Sequence, residues 1–435
     1  MHKKNRVLFW LAIISFAGIG LFLTFNRHSR SGYFNYHSEI WADKAGYYVY
    51  LPAAVKFNFN PKNFPDSIDV KTGNGFRLDH VNNKILTKYT YGVALLQLPF
   101  FLLADTFARL LNFPSNGFSP IYHWSIDVAS VFYLMLGLFF LGMYLKIHFD
   151  RKIIYLVLLT LFLATNLYYY SIDETGMSHV YSFSIFCICL YFLQRTNFLL
   201  NQNLLINGLF GIICGVIILI RPSNIIFLSA YFFLDINGKK DVFLRLKRIL
   251  QIKTILPVLI GFCVIILPQL IYWHHTYGSL INYTYGSEGF TWTDPKLAQT
   301  WFSPNNGLFL YCPLYLVFIA ALLCMIKARI KNGVFILVLF LTISYVYSSW
   351  WARGFGCSFG ARSFVEYLAV LSIPLAYIFN RVDRVRRIIF IGFWLLIFVL
   401  LIFNLKMTYS YDGCFYGSGN WDWNTYIKIL ESPTK

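Results

Sequence analysis

The chain has 435 residues, of which 57% are hydrophobic, 20% aromatic and only 13% charged. Soluble domains carry about 25% charged residues, and the deficit here runs along the whole length, which excludes a sizeable soluble domain. The net charge of +18 does not point to nucleic acid, because the Lys and Arg residues fall in short clusters between apolar runs, a pattern that orients membrane proteins.

A helix needs roughly 20 apolar residues to cross the hydrocarbon of a bilayer. The expected fold is an all-α polytopic membrane bundle forming one domain over 1–435, with eleven candidate spans. They lie at 7–25, 125–145, 153–170, 179–194, 204–220, 222–235, 254–274, 306–326, 333–349, 363–379 and 388–405. The first is read as a retained anchor, since Thr24-Phe25-Asn26-Arg27 lacks the small-x-small pattern of a cleavage site. A long exported loop, 26–124, follows it, and a tail, 406–435, follows the last span. Arg221-Pro222 breaks the pair 204–220 and 222–235 at a tight turn.

The apolar run Tyr91–Leu111 has two readings. It contains Gln97, Pro99, Asp105 and Arg109, which are costly on a lipid-facing helix. It is either a twelfth span or a juxtamembrane amphipathic helix lying in the outer interface. With the flat reading and a cytoplasmic amino terminus, the short cytoplasmic segments hold 20 Lys and Arg, and the short exported loops 171–178, 275–305 and 350–362 hold 3. The alternative puts every later cluster on the wrong side, so the positive-inside rule selects the flat helix. The expected location is the inner cell membrane, multi-pass, with the carboxyl terminus exported.

That topology collects polar groups at one face. Asp43 sits in Trp41-Ala42-Asp43-Lys44-Ala45-Gly46-Tyr47-Tyr48. Read as a helix, 41–51 puts Asp43, Tyr47 and Tyr50 on one side. In a partly dry cleft the carboxylate's charged form is disfavoured, which raises its pKa toward general-base values; an Asp exposed to solvent is the alternative. Asp173-Glu174, with His179 opening the next span, offers two acids to an amino or hydroxyl group of a substrate. A divalent cation there is not favoured, since it wants more ligands than the pair supplies, and no cofactor is expected. In Trp350-Trp351-Ala352-Arg353-Gly354-Phe355-Gly356-Cys357-Ser358-Phe359-Gly360-Ala361-Arg362, the glycines let backbone approach a ligand. Aromatic faces such as Trp351 suit a sugar or isoprenoid, and Arg353 and Arg362 suit a phosphate. Snorkelling arginines in an interface belt are the competing account, and Glu366 at i+4 from Arg362 is a competing ion-pair partner. Arg221 at an interrupted span either contacts phosphate or snorkels. Cys357 and Cys414 both fall outside, where oxidation is permitted, and are candidates for a disulfide.

The plan resembles the GT-C superfamily of polytopic glycosyltransferases, which includes protein O-mannosyltransferases and the aminoarabinose transferases that modify lipid A. The resemblance rests on a first span, a large exported loop, and an early acid leading a juxtamembrane helix, here Asp43-Lys44-Ala45-Gly46-Tyr47-Tyr48. It implies that Asp43 is the catalytic or donor-site carboxylate. Lys88-Tyr89-Thr90-Tyr91-Gly92 is similar to the family's Lys-containing segment ahead of a second juxtamembrane helix, which implies a donor-phosphate contact for Lys88. The family's acidic pair is Asp43-Lys44 here. The implied donor is a polyprenyl-phosphate-linked sugar and the acceptor a lipid, glycan or protein. An exported site has no access to cytoplasmic nucleotide sugars, and no Gly-rich phosphate loop is present. The rival readings are a transporter or lipid flippase, which favours mid-membrane charges and an internal repeat, and a polysaccharide polymerase or ligase, which favours a long exported loop late in the chain.

Overall fold

The computed structural model describes residues 3–29, 32–196, 198, 203–352 and 354–434. Its helices, in chain order, are α1 (Lys3–His28), α2 (Asp43–Tyr48), α3 (Tyr50–Val55), α4 (Ile68–Lys71), α5 (Gly92–Leu110), α6 (Pro120–Leu145), α7 (Arg151–Leu163), α8 (Leu167–Ile172), α9 (Ser178–Arg195) and α10 (Leu204–Ile220). The second half continues with α11 (Ser229–Phe233), α12 (Lys239–Ile249), α13 (Ile252–Tyr277), α14 (Leu297–Phe302), α15 (Leu308–Tyr311), α16 (Leu314–Lys327), α17 (Gly333–Ser348), α18 (Leu368–Val382), α19 (Arg387–Ser410) and α20 (Trp423–Glu431). The all-α expectation holds apart from a hairpin that sequence reasoning missed. Strands β1 (Arg77–Asp79) and β2 (Lys84–Leu86) pair antiparallel, with Leu78 opposite Ile85.

Among the described residues, four helices are long and apolar enough to cross a membrane: α5, α6, α13 and α19. They mark a multi-pass membrane protein. Leu256, Ile260, Val264 and Leu267 on α13, and Leu395, Phe398 and Val399 on α19, are each about half exposed or more. Such continuous apolar faces suit lipid rather than water.

The eleven unbroken spans expected from hydropathy are not what the helices show, because several apolar runs are interrupted. In 153–170, α7 ends at Leu163 and the chain turns through Thr165 and Asn166 into α8. Asn404 on α19 donates to the carbonyls of Leu163 and Thr165, both at 2.9 Å, so the acceptors freed by the break are satisfied where they lie. In 222–235, Pro222 opens a 3₁₀ turn that leads into the five-residue α11, and the Asn224 side-chain amide donates to the Ile217 carbonyl at 3.2 Å. Pro313 separates α15 from α16 within 306–326. Apolar residues flank each break, so a hydropathy reading runs across Thr165-Asn166 and Pro313, whereas Arg221-Pro222 is legible as a break.

The run Tyr91–Leu111 is one continuous helix, α5, which by length and composition qualifies as a span. It packs along the first half of α6 in the opposite sense. Tyr133 donates to the Leu96 carbonyl at 3.0 Å, and Tyr122 donates to Asp105 at 2.5 Å. The polar residues that argued against lipid contact turn inward: Gln97 donates to the Tyr181 hydroxyl at 2.9 Å, and Asp105 pairs with Lys56 and Arg109. Elsewhere α10 and α13 approach closely, since a Cβ on Gly211 would stand 2.0 Å from the Val258 carbonyl oxygen. The segment from Ile40 to Ile126 builds its own small core from Tyr48, Leu51, Phe64, Phe76, Phe101 and Phe118 beside the main one. That core supports α2 and the site.

Candidate functional site

The site is organised around the first residue of α2. Ala42, just before it, has φ 47° and ψ −121°, a conformation costly for a residue with a Cβ. The neighbours hold it there. Its N–H donates to the Thr72 carbonyl at 2.8 Å, and Gly75 lies so close that a Cβ would stand 1.8 Å from the Ala42 oxygen. The kink starts a six-residue helix whose first side chain, Asp43, is a third exposed, at 33%.

Segment 87–89 is laced to that helix. Thr87 donates its hydroxyl to the Gly46 carbonyl at 2.9 Å, the Tyr89 ring lies 4.3 Å from Tyr47, and the Tyr89 hydroxyl donates to Asp43 Oδ1. Arg362, from the 3₁₀ turn ahead of α18, donates to Asp43 Oδ2 at 3.1 Å. Burial pushes the Asp43 carboxyl up, but the Arg362 guanidinium, the Tyr89 hydroxyl and the Lys88 ammonium outweigh it and hold the carboxyl below the usual aspartate range. This reverses the raised value expected of an aspartate among aromatics: the decisive aromatic neighbour brings a hydroxyl donor, and a guanidinium completes the pair.

A second carboxylate–guanidinium pair adjoins the first. Arg221, at the end of α10, donates to Glu366 Oε1 at 3.0 Å and stacks its guanidinium 5.7 Å over the Tyr347 ring. Glu366 Oε2 meets His179 Nδ1 at 3.0 Å, and both residues are buried. The charge of Arg221 acts on Arg362, so one neighbourhood holds both guanidinium groups. Arg221 and Arg362 side chains keep 18% and 17% exposure while Glu366 has none: the cations are open to a ligand and their deeper anion is not. Lys88 lies at the edge, bonded to Glu288 at 2.7 and 3.0 Å with the Tyr89 and Tyr285 rings beside it.

Of the residues singled out in the sequence, Asp43, Tyr47, Lys88, His179, Arg221, Arg362 and Glu366 come together here. The expected Glu366 partner for Arg362 is instead taken by Arg221 and His179, because the 3₁₀ turn directs Arg362 to Asp43. Asp173 and Glu174 do not face a substrate as a pair, because each is taken by a cation of its own. Asp173 is buried against Arg27, and Glu174 bonds Lys44 at 3.0 Å. Trp351 is 54% exposed and engages through its backbone, donating to the Gly289 carbonyl at 2.9 Å. Arg353 lies outside the described residues. Tyr50 engages other partners than Asp43: its ring packs on Tyr272 and its hydroxyl reaches the Tyr89 carbonyl at 2.7 Å. Tyr89 itself was missed: it neighbours Lys88, and no spacing rule separates it from the other tyrosines of that segment.

Cys357 and Cys414 form a disulfide, which ties the chain beyond α19 to the glycine-rich loop ahead of Arg362. Tyr170 steadies the same loop, accepting from the Phe359 N–H and bonding the Ser358 hydroxyl, both at 2.9 Å. A cavity of about 610 Å³ between α10 and α13 is lined by apolar residues such as Leu205, Ile212 and Ile260, at the end of α10 remote from Arg221. The chain matches no family model, and no curated protein matches it significantly.

Proposed function

We propose that the chain is an integral membrane glycosyltransferase of the GT-C type, which moves a sugar from a polyprenyl-phosphate-linked donor to an acceptor on the exported side. The observation that carries this reading is a partly exposed aspartate at a helix start, clamped by Arg362 and Tyr89, with Arg221 and Lys88 beside it. A partly exposed carboxylate beside three partly exposed cations, each balanced by its own acid, suits a reaction in which a proton is taken up while a phosphate departs. Under the same reading, the eleven apolar runs serve as membrane segments, some of them broken. Helix α5, although long enough to cross, lies along the first half of α6 and both enters and leaves on the exported side, so that the amino terminus is cytoplasmic and the carboxyl terminus exported. The Cys357–Cys414 bond supports an exported placement of both residues.

In the reaction, an acceptor hydroxyl or amine attacks the anomeric carbon as the bond from that carbon to the phosphate oxygen breaks, inverting the centre. Asp43 takes the acceptor's proton. Each carboxylate oxygen has two lone pairs, and Tyr89 and Arg362 use one each, so two remain. The negative charge growing on the phosphate is met by Arg362, Arg221 and Lys88. Phosphate drawn onto Arg362 weakens its hold on Asp43, so donor binding makes the carboxylate a better base.

The cellular test compares surface glycans of a deletion strain with those of its parent. Loss of one sugar, restored by the wild-type gene and not by Asp43→Asn at equal membrane abundance, is the expected result. Restoration by Asp43→Asn would discard Asp43 as the base.

A further inference from the structure

A buried cluster near the end of α1 takes no part in the site above. His28 Nδ1 faces Asp127 Oδ1 at 2.9 Å and Glu39 Oε1 at 3.1 Å, and His123 Nδ1 faces Glu39 Oε2 at 2.6 Å. His123 and Asp127 stand at i and i+4 on α6, one above the other on a single face. Glu39 comes from the segment four residues ahead of Asp43. All four are buried, His123 and Asp127 completely. The donor atoms of His28, Glu39 and Asp127 lie within 4.8 Å of one another.

The hydrogen bonds of this cluster do not close. His28 Nε2 donates to the Asp173 carbonyl at 2.9 Å, which for a neutral ring leaves the Nδ1 lone pair pointing at two carboxylates. Asp127 accepts from the Thr175 hydroxyl at 2.8 Å through Oδ1, while its Oδ2 and His123 Nε2 have no hydrogen-bond partner among the described residues. Protons on His28 and His123 can answer both carboxylate charges only by burying four charged groups together, and they still leave those two atoms without partners. One divalent ion balances both carboxylates.

We propose that His28, Glu39 and Asp127 bind a divalent transition-metal ion of the zinc class, with His123 holding Glu39 from outside. One imidazole and two carboxylates match the nitrogen and oxygen donors that zinc takes, with a fourth position left open, and they are too few in oxygen for calcium. The Asp173 carbonyl orients His28, and the Thr175 hydroxyl orients Asp127, as outer partners of metal ligands do. His28 also lines a cavity of about 290 Å³ together with Arg27, Asp173 and Glu174, which brings open space up to the edge of the cluster. The ion pins the end of α1, the approach to Asp43, and α6 to one another. This assignment is independent of the glycosyltransferase reading.

The test uses the full chain purified in detergent without chelator, with metal measured by mass spectrometry. One zinc per chain is expected, with a melting temperature that falls on strong chelation and recovers with Zn²⁺ but not with Mg²⁺. Folded His28→Gln and Asp127→Asn should lose the metal. Should those variants fail to fold, Co²⁺ exchanged into the wild-type chain should give the visible absorption of a tetrahedral nitrogen–oxygen site. Background metal with a melting temperature indifferent to zinc would overturn the assignment, as would full zinc retention by both folded variants or a six-coordinate cobalt spectrum.

Discussion

Asp43 is tuned by its partners more than by its burial. Its carboxyl is held below the usual range, so the Asp43–Arg362 pair is complete above the unfolded aspartate value of about 3.9. The pair is lost as pH falls through the lower folded value. In kcat/KM, which reports the free enzyme, the limb from Asp43 should therefore lie below about pH 4. In kcat, which reports the donor complex, it should lie higher, because donor phosphate competes for Arg362. Arg362→Ala should move the kcat/KM limb upward, since burial then acts with less opposition; a pH–rate profile unchanged in that variant would show that Arg362 does not set the basicity of Asp43. Tyr89→Phe should shift the same limb in the same direction. Asp43 and Arg362 were both legible in the sequence, as a lone acid after the first span and a guanidinium closing a glycine-rich run. Their direct pairing was not, because 319 residues separate them and the rival partner, Glu366, is only four residues away.

The elements around the site carry strain and staples that can be tested separately. Ala42 occupies a conformation that costs about 1–3 kcal/mol for a residue with a Cβ. Ala42→Gly should raise the melting temperature in detergent while leaving the Asp43–Arg362 pair in place. Gly75→Ala should do the opposite, since its Cβ would collide with the Ala42 carbonyl; overpacking of this kind costs about 1–3 kcal/mol. A Gly75→Ala protein as stable as the parent would mean that the α2 entry is not held as described. The Cys357–Cys414 bond closes a loop of 57 residues, and its loss is expected to cost about 2–4 kcal/mol. Cys414→Ser should lower the melting temperature and leave Cys357 open to alkylation, which intact-mass measurement reads directly. The two cysteines were readable as a candidate pair from topology alone. The breaks at Thr165, Pro222 and Pro313 were less so: proline announces two of them, and the first depends on Asn404, 239 residues downstream of Thr165, to satisfy the carbonyls it frees.

For the whole molecule, sequence composition disclosed the class and the structure refined its parts. An apolar, charge-poor chain had to be a membrane bundle, and four long helices with exposed apolar faces bear that out. The small hairpin and the second core of the loop were illegible because three-residue strands carry no periodic signal. On the proposed orientation, a single cysteine placed at Asn82, in the hairpin turn, should react with a membrane-impermeant thiol reagent on intact cells, and one placed at Lys240 should react only after permeabilisation. The reverse pattern would put the Asp43 site on the cytoplasmic side. The most direct measurement of the central claim is sugar transfer by the purified chain from a labelled polyprenyl-phosphate sugar, followed as release of free polyprenyl phosphate matched by sugar gained on an acceptor. The account predicts transfer by wild type and a loss of about 10²–10⁴-fold in Asp43→Asn, with Arg362→Ala impaired in donor binding. Equal transfer by wild type and Asp43→Asn would contradict it.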